Sequence, residues 1–221
     1  MEAPEGEVAR PYRKRKGEGH VRREEILAAA KAVFIAEGYE NTTIRKIAAR
    51  AHVSPTALYL YFPDKDRILV EICDATFTRL LDEMDRIERE ERDPLRRLRH
   101  MMECYLRFGL QHPDEYRLTF MAKTLGILGV NHKSAIEDMA LPGTKGPQGF
   151  AKLLGIVTDC IAAGYLKGDD PELTAELIWA GGHGLVSLLI THPHFPWSDR
   201  EALIRGMIDC QLCGILVEEH R

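Results

Sequence analysis

The chain has 221 residues, 45% of them apolar and 29% charged, with a formal net charge of −4. That length suits one large domain or a small domain joined to a larger one, and the balance is that of an ordinary globular protein rather than a wholly basic, histone-like one. Through Arg67 there are 13 Lys/Arg against 10 Asp/Glu, and beyond it 17 against 24; a slightly basic front on an acidic body is what a nucleic-acid module carried by something else would show.

Residues 1–21 are rich in Arg, Lys, Glu and Gly and lack apolar periodicity, which predicts a disordered arm. From Arg22, Ile26, Ala30, Val33 and Phe34 fall on one helical stripe that stops at Gly38, a natural left-handed cap. Thr42 or Thr43 can cap a second helix with Ile44, Ile47, Ala48 and Ala51 inside. Ser54-Pro55 starts a third, which Pro63 ends near Phe62. Asp64 caps a fourth that dissolves around Glu88–Arg92, Asp93-Pro94 opens a fifth reaching His112, and Pro113 begins a sixth. Residues 125–148, interrupted by glycine and proline, read mostly as loop, with one short helical turn at Ser134–Met139. A seventh helix is expected from Gly149 to Gly164 and an eighth from Asp170-Pro171 to Thr191. Ser198-x-x-Glu201 reads as a capping box for a ninth that runs to the end of the chain. No segment alternates with a period of two, so the expected class is all-α: a helix-turn-helix head over residues 22–68 and a helical ligand-binding and dimerisation domain over 69–221.

The five cysteines are scattered and odd in number, and the first twenty residues hold no apolar secretory stretch, so reduced thiols and a cytoplasmic setting are expected. The uncharged run Leu177–Ser198 contains Gly-Gly-His-Gly, two further histidines and two prolines. A membrane span needs about 20 consecutive apolar residues, so this run reads as a core helix followed by a loop.

Function is concentrated between Thr42 and Leu69. Two short helices joined by so tight a turn can pack only if certain positions are small or apolar: Ala48 at their crossing, Val53 plugging the turn, Leu58 facing back into the core. These are the constraints of a helix-turn-helix, whose second helix enters the major groove. Its exposed side would then carry Ser54, Pro55, Thr56, Ala57, Tyr59 and Tyr61. Hydroxyls there can reach phosphates or base edges, and Ala57 could touch a thymine methyl.

The pattern R-x-x-IL-x-AA-x-x-x-F-x-x-x-GY-x-x-TTI-x-x-IA-x-x-A-x-VS-x-x-x-LY-x-YF-x-x-K-x-x-IL, complete from Arg23 to Leu69, resembles the tetracycline-repressor (TetR) family of transcriptional regulators. The resemblance implies three DNA-binding helices followed by about six that form a ligand pocket and a dimer interface. It implies DNA contacts near Thr42, Thr43, Arg45, Thr56, Tyr59, Tyr61 and Lys65, and a homodimer on a palindromic operator. At His52 the family usually has glycine, so a histidine is expected in a left-handed turn at some cost. HPDEYRLTF at 112–120 and WAGGHG at 179–184 resemble a C-terminal domain of a subset of these regulators with a Trp and His-Gly signature.

Other features have competing readings. The arm places seven Arg/Lys and one Glu in residues 10–23; Arg13, Arg15 and Arg22 would lie along phosphates, against the alternative of a solubilising tail. Cys210-x-x-Cys213 stands alone inside a helix and reads as core or interface packing, against the alternative of a redox or zinc site. His192-x-His194 reads as an interhelical loop, against the alternative of the start of a metal site, and no metal or cofactor is expected. His183 among three glycines is either a ligand contact or a satisfied core histidine. Met101, Tyr105, Phe108, Phe120, Met121 and Trp179 are either core or cavity wall. No G-x-S-x-G elbow, phosphate-cradling glycine loop or H-E-x-x-H is present, and no enzyme is expected. The expected function is a ligand-responsive regulator, most simply a repressor, acting as a homodimer through its last two helices. The alternatives are a helical small-molecule binder without specific DNA binding and a non-specific architectural DNA binder.

Overall fold

Helix starts in this chain are set by short polar side chains that accept an orphan backbone N–H. The computed structural model describes residues 19–121 and 145–220, so the expected turn at Ser134–Met139 lies outside the described residues. Helix α1 spans Gly19–Glu37, α2 Ile44–Arg50, α3 Pro55–Tyr59, α4 Lys65–Glu90 and α5 Pro94–Gln111. Then come α6 Pro113–Tyr116, continued by one wide π-type turn Arg117–Met121, α7 Gly146–Ala162, α8 Pro171–Thr191 and α9 Arg200–Ile215. Thr43, Ser54, Asp64, Asp93, Asp170 and Asp199 each accept a hydrogen bond from the N–H three residues on. Among the described residues no strand ladder forms, and Leu166 makes one antiparallel bridge with Leu216.

Several boundaries differ from the sequence reading, among them α7, which spans Gly146–Ala162 rather than Gly149 to Gly164. Helix α1 begins at Gly19, so His20 and Val21 are its first turn rather than arm. Helix α3 closes at Tyr59 because Leu60 N–H and Tyr61 N–H turn tightly back to Ala57 and Leu58 carbonyls. Asp199, not Ser198, caps α9, and Glu201 forms no capping box: its carboxylate accepts two hydrogen bonds from Arg107 at 2.8 and 2.6 Å. Helix α9 also stops before the chain end. Leu216 turns away, and Val217 N–H bonds to the Tyr165 carbonyl at 3.0 Å, strapping the last residues onto the α7–α8 link.

Two apolar cores result. The head core joins α1, α2, α3 and the first turns of α4, with Ile26, Phe34, Ile47, Leu58, Phe62 and Ile68 at its centre. The larger core joins the later turns of α4 to α5 and α7–α9. One residue crosses over: Leu118, from the π-type turn, is buried in the head core. Helix α8 is long and apolar enough to cross a membrane by length and composition. Its inner side (Ala175, Ile178, Leu185, Val186, Ile190) is buried in the second core.

Candidate nucleic-acid interface and cavity

The turn between α2 and α3 is a Schellman closure. His52 takes φ +53, its N–H donates to Ala49 at 3.2 Å, and Val53 N–H donates to Ala48 at 3.0 Å. The left-handed residue is the histidine at the position expected from sequence. Val53 packs onto the head core, and Ser54 then caps α3 with Pro55 in its first turn. The second helix is thereby fixed at an angle to the first, with one side buried through Leu58 and the other open.

That open side carries Ser54, Pro55, Thr56, Tyr59 and Leu60, the last two 55% and 82% exposed. Thr43 and Arg45 are exposed beside them, while Ala57 and Tyr61 are half-buried. Arg22 lies on α1 in an ion pair with Glu25 at 2.8 Å. Arg13 and Arg15 lie outside the described residues. Two expected DNA contacts are turned to other work. Thr42 is only 2% exposed, and its hydroxyl donates to the Gly38 carbonyl at 2.7 Å. Lys65 donates to the Tyr39 and Thr42 carbonyls at 3.1 and 3.3 Å and sits 4.1 Å over the Tyr39 ring. Both close the α1–α2 link, whose carbonyls have no helical partners, rather than facing outward.

Between α4, α5, α7 and α8 lies a cavity of about 510 Å³, within the range of sites that hold a drug-sized ligand. Of the residues expected to line it, Met101, Tyr105, Phe120, Trp179 and His183 do. Phe108 does not: it packs on His112 with the Arg79 guanidinium over its ring. Met121 packs against the second core without reaching the cavity wall. Sequence reasoning missed the α4 contribution of Cys73, Asp74 and Phe77, because their spacing reads equally well as core, and it missed Gln211 from α9.

The polar groups of the wall form a chain. Trp179 Nε1–H donates to Tyr105 Oη at 3.1 Å, Tyr105 and Tyr116 share a hydrogen bond of 2.7 Å, Tyr116 meets His183 Nδ1 at 2.7 Å, and His183 Nε2 meets Ser187 Oγ at 3.2 Å. Burial lowers the His183 pKa and raises that of Tyr105 to about 12; Tyr116 is pushed up further, first by burial and then by Tyr105. All three are therefore uncharged at neutral pH. Of the signature glycines only Gly181 is close to a neighbour. A Cβ at Gly182 would rest on Tyr105 and Leu106, and one at Gly181 would strike Gln211, whereas Gly184 faces open space. Among the described residues no group of His, Cys, Asp and Glu could hold a metal ion.

The segment after α5 connects cavity and head. Tyr116, Thr119 and Phe120 face the cavity or its hydrogen-bonded chain. Leu118 is in the head core, and Glu115 accepts from Lys31 of α1 at 2.6 Å and Arg79 of α4 at 3.3 Å.

The profile of bacterial regulatory proteins of the tetR family matches residues 26–72, and that of the tetracyclin repressor-like C-terminal domain matches residues 98–210. Nucleoid occlusion factor SlmA of Vibrio vulnificus is 37% identical over 98 residues, 44% of this chain and 50% of that protein; SlmA of Vibrio cholerae matches to the same extent. The chain spans about half the length of these curated relatives. Among solved structures, the ketosteroid transcriptional regulator KstR2 of Mycobacterium tuberculosis superposes with a TM-score of 0.66 at 23% identity, covering 89% of this chain and 96% of that one. A tetR-family regulatory protein from Rhodococcus RHA1 gives a TM-score of 0.70 at 22% identity, covering 87% and 95%.

Proposed function

The chain belongs to the tetR family of bacterial regulatory proteins, and from that premise we propose that it is a ligand-responsive repressor, working in the cytoplasm as a homodimer on a palindromic operator. The exposed side of α3 would enter the major groove, with Thr43, Arg45, Thr56, Tyr59 and Tyr61 at phosphates and base edges and the basic arm along the backbone.

The observation that carries the reading is the shared use of α4 and the α6 segment. Each lines the cavity on one side and is embedded in the head core on the other. A small molecule that fits the cavity in only one setting of these elements would bias the head by its difference in affinity between the two settings. Dimerisation is supported by an apolar stripe left outside on α8, where Leu173, Leu177 and Leu188 are 50%, 58% and 47% exposed. Their spacing of 4 and 11 residues keeps them on one face. Two copies pairing these helices as a four-helix bundle would set their α3 helices at the separation of successive major grooves, about 34–36 Å.

A gel-shift and footprint on the chain's own upstream region tests this. A regulator protects a palindrome and releases it when a cavity ligand is added. Equal binding with and without ligand would defeat the ligand-responsive part. The SlmA likeness favours a second reading, a nucleoid-associated DNA binder, which the same assay would reveal as binding to many sites with no ligand response.

A further inference from the structure

We propose that the cavity selects an uncharged, mostly apolar molecule carrying one oxygen function, and that Tyr105 reads this oxygen at the head of the hydrogen-bonded chain running to Ser187. The proposal rests on the reading of this cavity as an effector site.

The wall is almost wholly aliphatic, aromatic and thioether, and its one charged side chain among the described residues is Asp74, which already accepts the Lys145 N–H at 3.0 Å. An anionic head group would meet a carboxylate and lose its hydration without a compensating partner. Of the remaining polar groups, Gln211 already donates to the Leu177 and Ile178 carbonyls, and the Thr119 hydroxyl is buried, neutral and without a hydrogen-bond partner among the described residues. The hydrogen-bonded chain favours a neutral ligand by valence. Both ring nitrogens of His183 are engaged, by Tyr116 and Ser187, and Trp179 spends its one N–H on Tyr105. Tyr105 Oη has one proton and two lone pairs. One lone pair takes the Trp179 N–H, and the link to Tyr116 takes either the proton or the second lone pair.

The unused position is the ligand's. If Tyr105 donates to Tyr116, then Tyr116 donates to His183 Nδ1, the imidazole proton sits on Nε2, and Tyr105 offers a lone pair to a ligand hydroxyl. If Tyr105 instead donates to a ligand carbonyl, Tyr116 must donate to Tyr105, or two lone pairs would face each other across 2.7 Å. Tyr116 then needs the Nδ1 proton of His183, and Nε2 accepts from Ser187. A ketone in the cavity thus dictates the tautomer of a histidine it does not need to touch.

The test uses the full chain carrying Trp197→Phe, which leaves Trp179 as its single tryptophan. Its fluorescence reports binding of decanol, 2-decanone, decanoate, decyltrimethylammonium and the hydrocarbon butylbenzene. Decanol and 2-decanone should bind at least about tenfold more tightly than either charged probe, and Tyr105→Phe should weaken decanol about five- to tenfold while leaving butylbenzene unchanged, the size of one buried hydrogen bond. Nitrogen chemical shifts of the His183 ring should show the Nδ1–H tautomer when 2-decanone is bound. Tighter binding of decanoate or the ammonium probe, unchanged decanol affinity in Tyr105→Phe, or an Nε2–H tautomer with the ketone would overturn the assignment while leaving the cavity as an effector site. Silence from every probe, butylbenzene included, would overturn that underlying reading as well.

Discussion

Gly109 is packed too closely for a side chain. A Cβ there would fall 2.6 Å from Val186 Cγ1 and 2.8 Å from the Tyr116 ring, one atom on a β-branched side chain and the other on a rigid ring that cannot fold aside. Overpacking of this kind costs about 1–3 kcal/mol, of which the better helix propensity of alanine returns about 1. Gly109→Ala should therefore lose up to about 2 kcal/mol in urea unfolding and displace Tyr116 from its bond to His183. The second residue-scale expectation concerns acid. Burial holds the folded pKa of His183 below the ordinary 6.5, so the unfolded chain takes up this proton first. The stability it contributes is complete above about pH 6.5 and is lost as pH falls through the window below that value. The unfolding midpoint should decline more steeply from pH 7 to 5 in the native chain than in His183→Gln; identical slopes would assign the loss to other groups.

Among the elements, the α6 segment is a short one that touches the cavity, the head core, α1 and α4. Glu115→Gln keeps its shape but removes the charge shared by Lys31 and Arg79. Operator affinity without ligand should stay within about twofold, since partly exposed ion pairs contribute little, while the ligand concentration needed for release should rise several-fold. Equal ligand sensitivity would show that α4 alone couples the two regions. The helix caps were readable in sequence because they depend on neighbours three residues away: Ser54, Asp64, Asp93 and Asp170 all act where a reader would place them. At α9 the same logic slipped by one residue, because Ser198 and Asp199 are both competent caps and only the distant Arg107 draws Glu201 aside. The cavity was half-legible. Trp179, His183 and Tyr105 stand out by residue type, but Cys73, Asp74 and Phe77 look like any amphipathic helix until α7 and α8 are placed against them. Leu118 was hidden for the same reason, since nothing local tells a reader that a residue after α5 belongs to the head.

For the whole molecule, the exposed stripe on α8 sets the strongest expectation. Leu177→Arg combined with Leu188→Arg should leave the fold and the cavity intact but shift the protein to a monomer in sedimentation. Operator affinity should fall by at least about a hundredfold, since each half-site alone gives up the partner's contribution. A dimer that survives both changes would place the interface elsewhere. Helix α8 also has two occupied sides: Ile178, Trp179 and His183 look into the cavity, while Leu173, Leu177 and Leu188 look out. If two copies meet along that outer side, filling the inner one and joining the copies draw on the same rigid rod and become reciprocal. Apparent ligand affinity should then drift with protein concentration by mass action, and a cell would set its response threshold partly by how much of this protein it makes.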